Sequence, residues 1–272
     1  MLTVLSGVLK LIPSLTVSLT VGLCIHKPEL KVYTKKTKKV CQENGYTFLL
    51  YEQYGEKNQS ALVGRKRLIE MCNTDYIWLV DADDWIKPID FPLNADIEMI
   101  FAEKSNGELL TYEDCGTPIG MPPTWLRICK TDVAKRAIQH YPDIFAIDAE
   151  DTCLSYYMEM EAKSIHVNQK PYYIYNLNTS SVAGIMTPER LLGPFKYYEV
   201  YRYLPKEYKT IRDEWLLLRV CMSPHFKEIL DSNLLSKVGI DWGNLDLLNK
   251  WSYYYPKYVN RLKMLWDNEN KD

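Results

Sequence analysis

The stretch Asp75-Tyr-Ile-Trp-Leu-Val-Asp81-Ala-Asp83-Asp84-Trp85-Ile-Lys-Pro88 decides the fold, because an apolar run leads directly into three carboxylates. Such a run, with aromatic and β-branched side chains, is typical of a strand buried on both faces of a parallel sheet. Ligands bind these sheets beyond the carboxyl ends of the strands. Asp81 and Asp83 are two positions apart, so in an extended chain they point to the same side. Paired carboxylates suit Mg²⁺ or Mn²⁺, although an ordinary polar turn explains the same residues.

The composition limits the class of protein. The 272 residues suffice for one large α/β domain with a helical appendage, and a net charge of −2 favours no nucleic-acid partner. Seven cysteines without a CxxC pair or zinc-like spacing predict free thiols in a reducing cytosol. The apolar stretch 1–24 is interrupted by Lys10 and Pro13 and falls short of the roughly 18 residues of a spanning helix, so a cytoplasmic protein is expected.

Strands and helices alternate along the first part of the chain. Strands are predicted at 2–7, 30–33, 46–51 and 76–80, and helices at 13–26, 34–44 and 60–72. The alternation predicts an α/β fold with a doubly wound, mostly parallel sheet. Beyond it, helices are predicted at 92–107, 132–140 and 152–162, and strands at 108–112, 125–129, 164–167 and 172–175. The pattern then becomes helical, which divides the chain into an α/β domain, 1–186, and a helical C-terminal subdomain, 187–272.

A second group of carboxylates follows another apolar run. Glu150 and Asp151 come shortly after Ile144-Phe-Ala-Ile147, at the start of a predicted helix. The helix dipole favours the ionised form of a carboxylate at that position. Both groups of carboxylates therefore stand at the ends of apolar runs and can converge on one cleft.

Three segments together carry a resemblance to a known family. Ser60-Ala-Leu-Val-Gly64-Arg65-Lys66-Arg67, followed by the stretch Tyr76 to Asp84, is similar to the "ARN…geyi.flDaDD" segment of family-2 glycosyltransferases with the GT-A fold. Glu150-Asp151 resembles the family's "ED" motif, and Lys170 to Ser181 is similar to its "plYyYr…sS" segment. The resemblance covers residues 2–182. Two stretches depart from it: Leu5-Ser6-Gly7-Val8 replaces "P.yN", and Val32-Tyr33-Thr34-Lys35 replaces "vDdgS".

The resemblance implies a GT-A type fold and an inverting, metal-dependent transfer of a sugar. The implied donor is a nucleotide diphosphate-sugar, a UDP-sugar first of all, and the acceptor is a glycan or a lipid-linked saccharide. By the same resemblance Asp83 and Asp81 bind Mn²⁺ or Mg²⁺, and Asp151 is the catalytic base that takes the acceptor proton. The further residues assigned to the donor and the substrate are Asp81, Arg65, Ser6 and Tyr33 for the donor and Glu150, Trp125 and Asp84 for the substrate.

Several alternatives stay open. An inactive GT-A-like binding module is one, and a nucleotidyltransferase is another, although it normally carries an early Gly-rich loop that this sequence lacks. Trp125 suits a core strand as well as a sugar-stacking position, and His225 suits the core or surface as well as a metal shell. The Lys35–Lys39 cluster suits a solvated helix face or a phosphate site. The C-terminal aromatic and basic residues suit either helix packing or a peripheral contact with a membrane that carries the acceptor.

Overall fold

The fold is taken from a computed structural model, which describes residues 20–25, 31–43, 47–52, 61–81, 84–87, 89–111, 123–140, 150–176, 209–223, 226–231, 235, 240 and 247–269. These residues divide into two compact units. The first unit holds all the described strands and the helices between them. The second unit holds the helices from Lys209 onward.

The first unit contains seven described strands and four described helices. The strands are β1 (Thr20–Ile25), β2 (Thr47–Glu52), β3 (Tyr76–Trp78), β4 (Trp85–Ile86), β5 (Ile97–Lys104), β6 (Arg127–Lys130) and β7 (Ile165–Tyr175). The helices are α1 (Lys31–Glu43), α2 (Ala61–Met71), α3 (Thr131–His140) and α4 (Glu150–Glu161). A 3-10 turn, Thr124–Leu126, leads directly into β6.

The described strands form two sheets. β1 and β2 pair in parallel, from Thr20 opposite Thr47 to Ile25 opposite Glu52. The larger sheet has the order β3-β6-β5-β7-β4, and of its four pairings only β5 with β7 is parallel. The expectation of a mostly parallel, doubly wound sheet is therefore wrong for this sheet. No α-helix is described between β5 and β6, and strands joined without a crossover helix pair readily as antiparallel neighbours.

Four predictions of individual elements are wrong. The helix predicted at 13–26 overlaps β1, and the strand predicted at 30–33 overlaps the start of α1. The helix predicted at 92–107 covers β5, and the strand predicted at 108–112 is reduced to one bridge between Leu109 and Glu103. The remaining helix predictions within the first unit agree with α1 to α4. The strand predictions at 46–51 and 125–129 agree with β2 and β6, and the last two predicted strands are one continuous strand, β7. The strand predicted at 76–80 is the shorter β3, which lies at the edge of the larger sheet and pairs antiparallel with β6, so the expectation of a strand buried on both faces of a parallel sheet is wrong.

Helix α2 packs directly on β1. Gly22 on β1 faces Leu68 on α2 so closely that a Cβ atom there would lie 2.9 Å from Leu68 Cδ2. The absent side chain at Gly22 therefore permits a close approach of helix and strand. Val21 and Leu23 on β1 and Ile69 on α2 are buried and complete the apolar interior of this part of the unit.

A buried carboxylate ties β5 to β7. Glu98 accepts hydrogen bonds from the backbone N–H groups of Asn94 (2.9 Å) and Ala95 (3.0 Å) and from the side chains of His166 (2.9 Å) and Asn168 (3.0 Å). Burial alone would raise the pKa of Glu98, but these hydrogen bonds outweigh it and hold the pKa below its ordinary value. The charge is thus retained inside the sheet because four donors surround it.

The second unit is helical in its described part. Its helices are α5 (Lys209–Met222), α6 (Phe226–Asp231), α7 (Leu247–Tyr254) and α8 (Val259–Glu269). Trp251 and Tyr255 are buried, as the packing alternative expects, whereas Tyr253 and Tyr254 are exposed. The buried Glu214 accepts hydrogen bonds from Lys250 Nζ (2.6 Å) and from the indole of Trp251 (3.2 Å). No helix among the described residues has the length and apolar character needed to cross a membrane.

Candidate functional site

The first feature of the candidate site is an ion pair between α2 and the segment after β3. Arg65 on α2 is buried, and its Nη2 donates to Asp81 Oδ1 at 2.8 Å. The side chain of Asp81 retains 23% of its exposure, so it lies at the edge of the interior. A guanidinium group fixed by burial holds the carboxylate in one orientation. The structure thus joins two residues that the sequence assigned to the donor site.

A turn begins at Asp81, where the backbone N–H of Asp84 donates to the carbonyl oxygen of Asp81 at 3.2 Å. A hydrogen bond between residues three positions apart is the mark of a β-turn, and it brings the backbones of Asp81 and Asp84 together. The expectation that Asp81 and Asp83 point to the same side stays a prediction, because Asp83 lies outside the described residues. The polar residues of the stretch favour a turn because Asp accepts local hydrogen bonds.

Tyr173 on β7 holds both ends of this turn. The backbone N–H of Asp81 donates to the Tyr173 hydroxyl oxygen at 3.3 Å, and the hydroxyl donates to Asp84 Oδ2. The other carboxylate oxygen of Asp84 accepts from the backbone N–H of Asn176 at 2.8 Å. Asp84 is buried, and each of its oxygens accepts a hydrogen bond from the protein. Its predicted contact with the substrate stays a prediction, and its position suits an anchor for the turn.

The ring of Tyr173 lies in an aromatic layer. Trp125 stacks on Tyr173 with 4.5 Å between ring centroids and on Tyr175 with 5.8 Å, and the indole of Trp78 donates to the Trp125 carbonyl oxygen at 2.8 Å. Trp125 is itself buried, which suits the alternative that it is a core residue and not a sugar-stacking one. Burial, together with the negative charges of Asp81 and Asp84, raises the pKa of Tyr173 well above its ordinary value. The phenol therefore stays protonated and able to donate.

Asp151 lies in the first turn of α4, where its side chain is partly exposed. Its carbonyl oxygen accepts hydrogen bonds from the hydroxyls of Thr124 and Ser155, the latter at 3.0 Å. Thr124 directly precedes Trp125, so contacts run from the start of α4 through the 3-10 turn to the Tyr173 ring. Farther along α4, Glu159 forms an ion pair with the buried Arg127 of β6, which fixes the helix against that strand.

The other predicted site residues are described only in part or lie outside the described residues. Tyr33 belongs to α1 and Glu150 begins α4, but their side chains are not described. Ser6, Asp83 and His225 lie outside the described residues. Their assigned roles stay predictions.

The contacts of Asp81 and Asp84 determine whether a metal ion fits beside the turn. Each carboxylate oxygen of Asp84 already accepts one hydrogen bond, from Tyr173 or from Asn176, and the residue is buried, so Asp84 is poorly placed to bind a metal. Asp81 uses one oxygen for Arg65, and its second oxygen makes no hydrogen bond to a described residue. No group of three or more His, Cys, Asp or Glu side chains in the described part of the chain is placed to hold a metal ion. The remaining Asp81 oxygen is the kind of ligand that Mg²⁺ or Mn²⁺ accepts, so a site shared with Asp83 is compatible with these contacts.

Sequence reasoning missed Tyr173 and Asn176 as members of the site. Both belong to the segment Lys170 to Ser181 that carries the third part of the family resemblance, which was the available signal. The segment was interpreted as a strand and a polar loop, and no residue in it received a role. Their partners are 89 to 92 positions away along the chain, so local pattern cannot connect them.

Comparison with solved structures finds the fold of S. aureus TarS. The structure of TarS residues 1–349 in complex with UDP-GlcNAc matches with a TM-score of 0.56 at 14% sequence identity, over 99% of this chain and 80% of that one. A second structure of TarS 1–349 matches with a TM-score of 0.51 at 15% identity, over 99% and 77% of the two chains. These neighbours are glycosyltransferases with a GT-A-like fold, and the likeness is one of fold. No protein-family profile and no curated protein matches the chain.

Proposed function

We propose that this chain is an inverting glycosyltransferase that transfers a sugar from a UDP-sugar to a glycan or a lipid-linked saccharide. Two findings support the proposal. The fold is similar to that of TarS, which was solved with UDP-GlcNAc. The observation that carries the proposal is the arrangement directly after β3, where Arg65 and Tyr173 hold Asp81 at the edge of the interior.

The donor side of the reaction is assigned to the turn after β3. Asp81 presents one carboxylate oxygen that Arg65 does not use, and this oxygen is available to a donor hydroxyl or to a cation. When bound, Mn²⁺ or Mg²⁺ supplies positive charge against the leaving diphosphate, and Asp81 together with Asp83 would hold it. Arg65 is a fixed cation beside this position, and it balances the charge of Asp81 when no ligand is bound.

The acceptor side is assigned to Asp151. In an inverting transfer the acceptor oxygen forms a bond to the anomeric carbon while the bond from that carbon to the diphosphate breaks. The acceptor proton passes to a carboxylate within hydrogen-bond reach, and the electron pair of the broken bond leaves with the diphosphate. Asp151 suits this role because the helix N-terminus favours its ionised form, in which a carboxylate can accept a proton.

The test is a screen of nucleotide-sugars for hydrolysis and transfer in the presence of Mn²⁺, with titration of UDP by calorimetry in Mn²⁺ and in chelator. Asp151→Asn is expected to leave UDP affinity unchanged and to lower the transfer rate by at least about a hundredfold, the usual contribution of a general base. Asp75→Asn is the matched control, because Asp75 is exposed at the start of β3. An Asp151→Asn variant with full transfer activity would show that the base lies elsewhere. UDP binding without hydrolysis or transfer of any donor would favour a binding module instead.

A further inference from the structure

The hydroxyl of Tyr173 occupies an unusual position for a core residue. The side chain is fully buried, and the hydroxyl accepts from the backbone N–H of Asp81 and donates to the carboxylate of Asp84. A buried hydroxyl without partners is unfavourable, so an apolar core would be filled better by Phe at this position. The hydroxyl is satisfied here because the backbone of Asp81 donates a hydrogen bond to it and the carboxylate of Asp84 accepts one from it. The two hydrogen bonds of the Tyr173 hydroxyl therefore stabilise the turn between Asp81 and Asp84.

The turn is also held from a second direction. Arg65 fixes the carboxylate of Asp81, while the backbone N–H of Asn176 fixes the second oxygen of Asp84. Tyr173 itself binds both ends of the turn. Trp125 stacks on the ring and thereby restricts where the hydroxyl can lie. The position of the Asp81 backbone is thus linked to an immobile phenol.

We propose that Tyr173 is a positioning residue for the donor: its hydroxyl holds Asp81 and Asp84 in the one arrangement that binds the nucleotide diphosphate. This inference rests on the proposed function. Tyr173 does not touch the donor, and it acts through Asp81. A ligand that binds a prearranged site does not have to order the site, so losing the hydroxyl weakens binding even where the ring is kept.

The test compares Tyr173→Phe with Tyr172→Phe. The neighbouring Tyr172 also donates its hydroxyl to a carboxylate, that of Asp90, so its variant loses a bond of the same kind away from the turn. Two readouts are measured: hydrogen exchange of the Asp81 amide by NMR, and UDP affinity with Mn²⁺ by calorimetry. Tyr173→Phe is expected to exchange the Asp81 amide at least about tenfold faster and to bind UDP about tenfold more weakly, which matches the loss of one or two hydrogen bonds. Tyr172→Phe is expected to change neither.

A second variant removes the other partner of the hydrogen bond between Tyr173 and Asp84. Asp84→Ala removes the acceptor of the Tyr173 hydroxyl and is expected to weaken UDP binding to a similar extent. Equal UDP affinity in the Tyr173→Phe and Tyr172→Phe proteins would refute the role of Tyr173 alone. Equal exchange of the Asp81 amide in the two variants would also refute it. A wild-type protein that binds no UDP would instead refute the proposed function, and the role of Tyr173 in donor binding with it.

Discussion

The ion pair between Arg65 and Asp81 should contribute measurably to stability, which can be tested by replacing Arg65 with Met. Removing one partner of a fully buried pair costs roughly 3–5 kcal/mol, whereas an exposed pair contributes roughly 0–1 kcal/mol. The side chain of Arg65 is 6% exposed and that of Asp81 is 23% exposed, so water can replace part of the lost interaction at Asp81. We therefore expect Arg65→Met to lower the free energy of unfolding by about 2 kcal/mol.

A double-mutant cycle isolates the pair from the other effects of each substitution. The four proteins are the wild type, Arg65→Met, Asp81→Asn and the double variant, and urea denaturation is followed by far-UV circular dichroism at neutral pH. In the double variant neither charge remains without its partner, so its loss should be smaller than the sum of the two single losses. The expected coupling energy is about 1–2 kcal/mol, within the range measured for residues in contact.

An exposed pair in the same unit supplies the control. Arg136 donates to Asp132 at 2.9 Å on α3, with side-chain exposures of 42% and 68%. The donor–acceptor distance is nearly that of the Arg65–Asp81 pair but the burial is much lower, and the double-mutant cycle separates this pair from the second ion pair of Arg136 with Glu161. The corresponding cycle of Arg136→Met and Asp132→Asn should give a coupling energy below about 0.5 kcal/mol. Equal coupling energies in the two cycles would refute the reasoning, because burial could then not be what strengthens the Arg65–Asp81 pair.

Two further predictions concern stability. Glu98→Gln should destabilise the protein by about 2 kcal/mol at neutral pH, because it places an amide N–H₂ group against two hydrogen-bond donors. Since the folded-state pKa of Glu98 is lowered, its contribution to stability is full above its ordinary pKa of 4.5 and is lost as the pH falls through the folded-state pKa. Urea denaturation in mild acid should therefore show a smaller difference between the wild type and the variant, and a constant difference would contradict this. Arg127→Met should cost about 3 kcal/mol because it leaves the Glu159 carboxylate without its buried partner; Glu159→Gln, which keeps an acceptor for Arg127, should lose less in the same assay.

Much of the candidate site could be predicted because its signals are local. The apolar run before Asp81 and the helical spacing of α2 identify a strand and a helix with little ambiguity. The same local signals place Asp151 in the first turn of α4. Arg65 entered the site through its place in the family-like segment, and the structure brings it to Asp81.

The sheet could not be predicted from pattern, and β5 shows why. Glu98, Ile100 and Ala102 are buried on one face, whereas Phe101 on the other face is exposed, so a charged residue lies inside and an aromatic residue outside. The strand therefore lacks a regular alternation of buried apolar and exposed polar residues. Without that alternation, apolar residues at 97, 100 and 101 fit a helical period as well as a strand. The decisive interactions are the bonds from Asn94, Ala95 and β7 to Glu98, and the two from β7 cross long stretches of chain.

The different environments of Asp81 and Asp84, the two described carboxylates of the turn, also could not be predicted from the sequence. Asp81 and Asp84 are the same residue type three positions apart, and in sequence either could bind a ligand. What separates them is how many acceptor sites the protein already fills. Asp84 is buried with both oxygens bound, whereas Asp81 is partly exposed and bonded through one oxygen to Arg65. Because a ligand reaches a partly exposed carboxylate more easily than a buried one, Asp81 is the better placed of the two for the proposed ligand-binding role, and Asp84 for anchoring the turn. This division of roles exists only because Tyr173, 89 positions beyond Asp84, brings its hydroxyl to the turn.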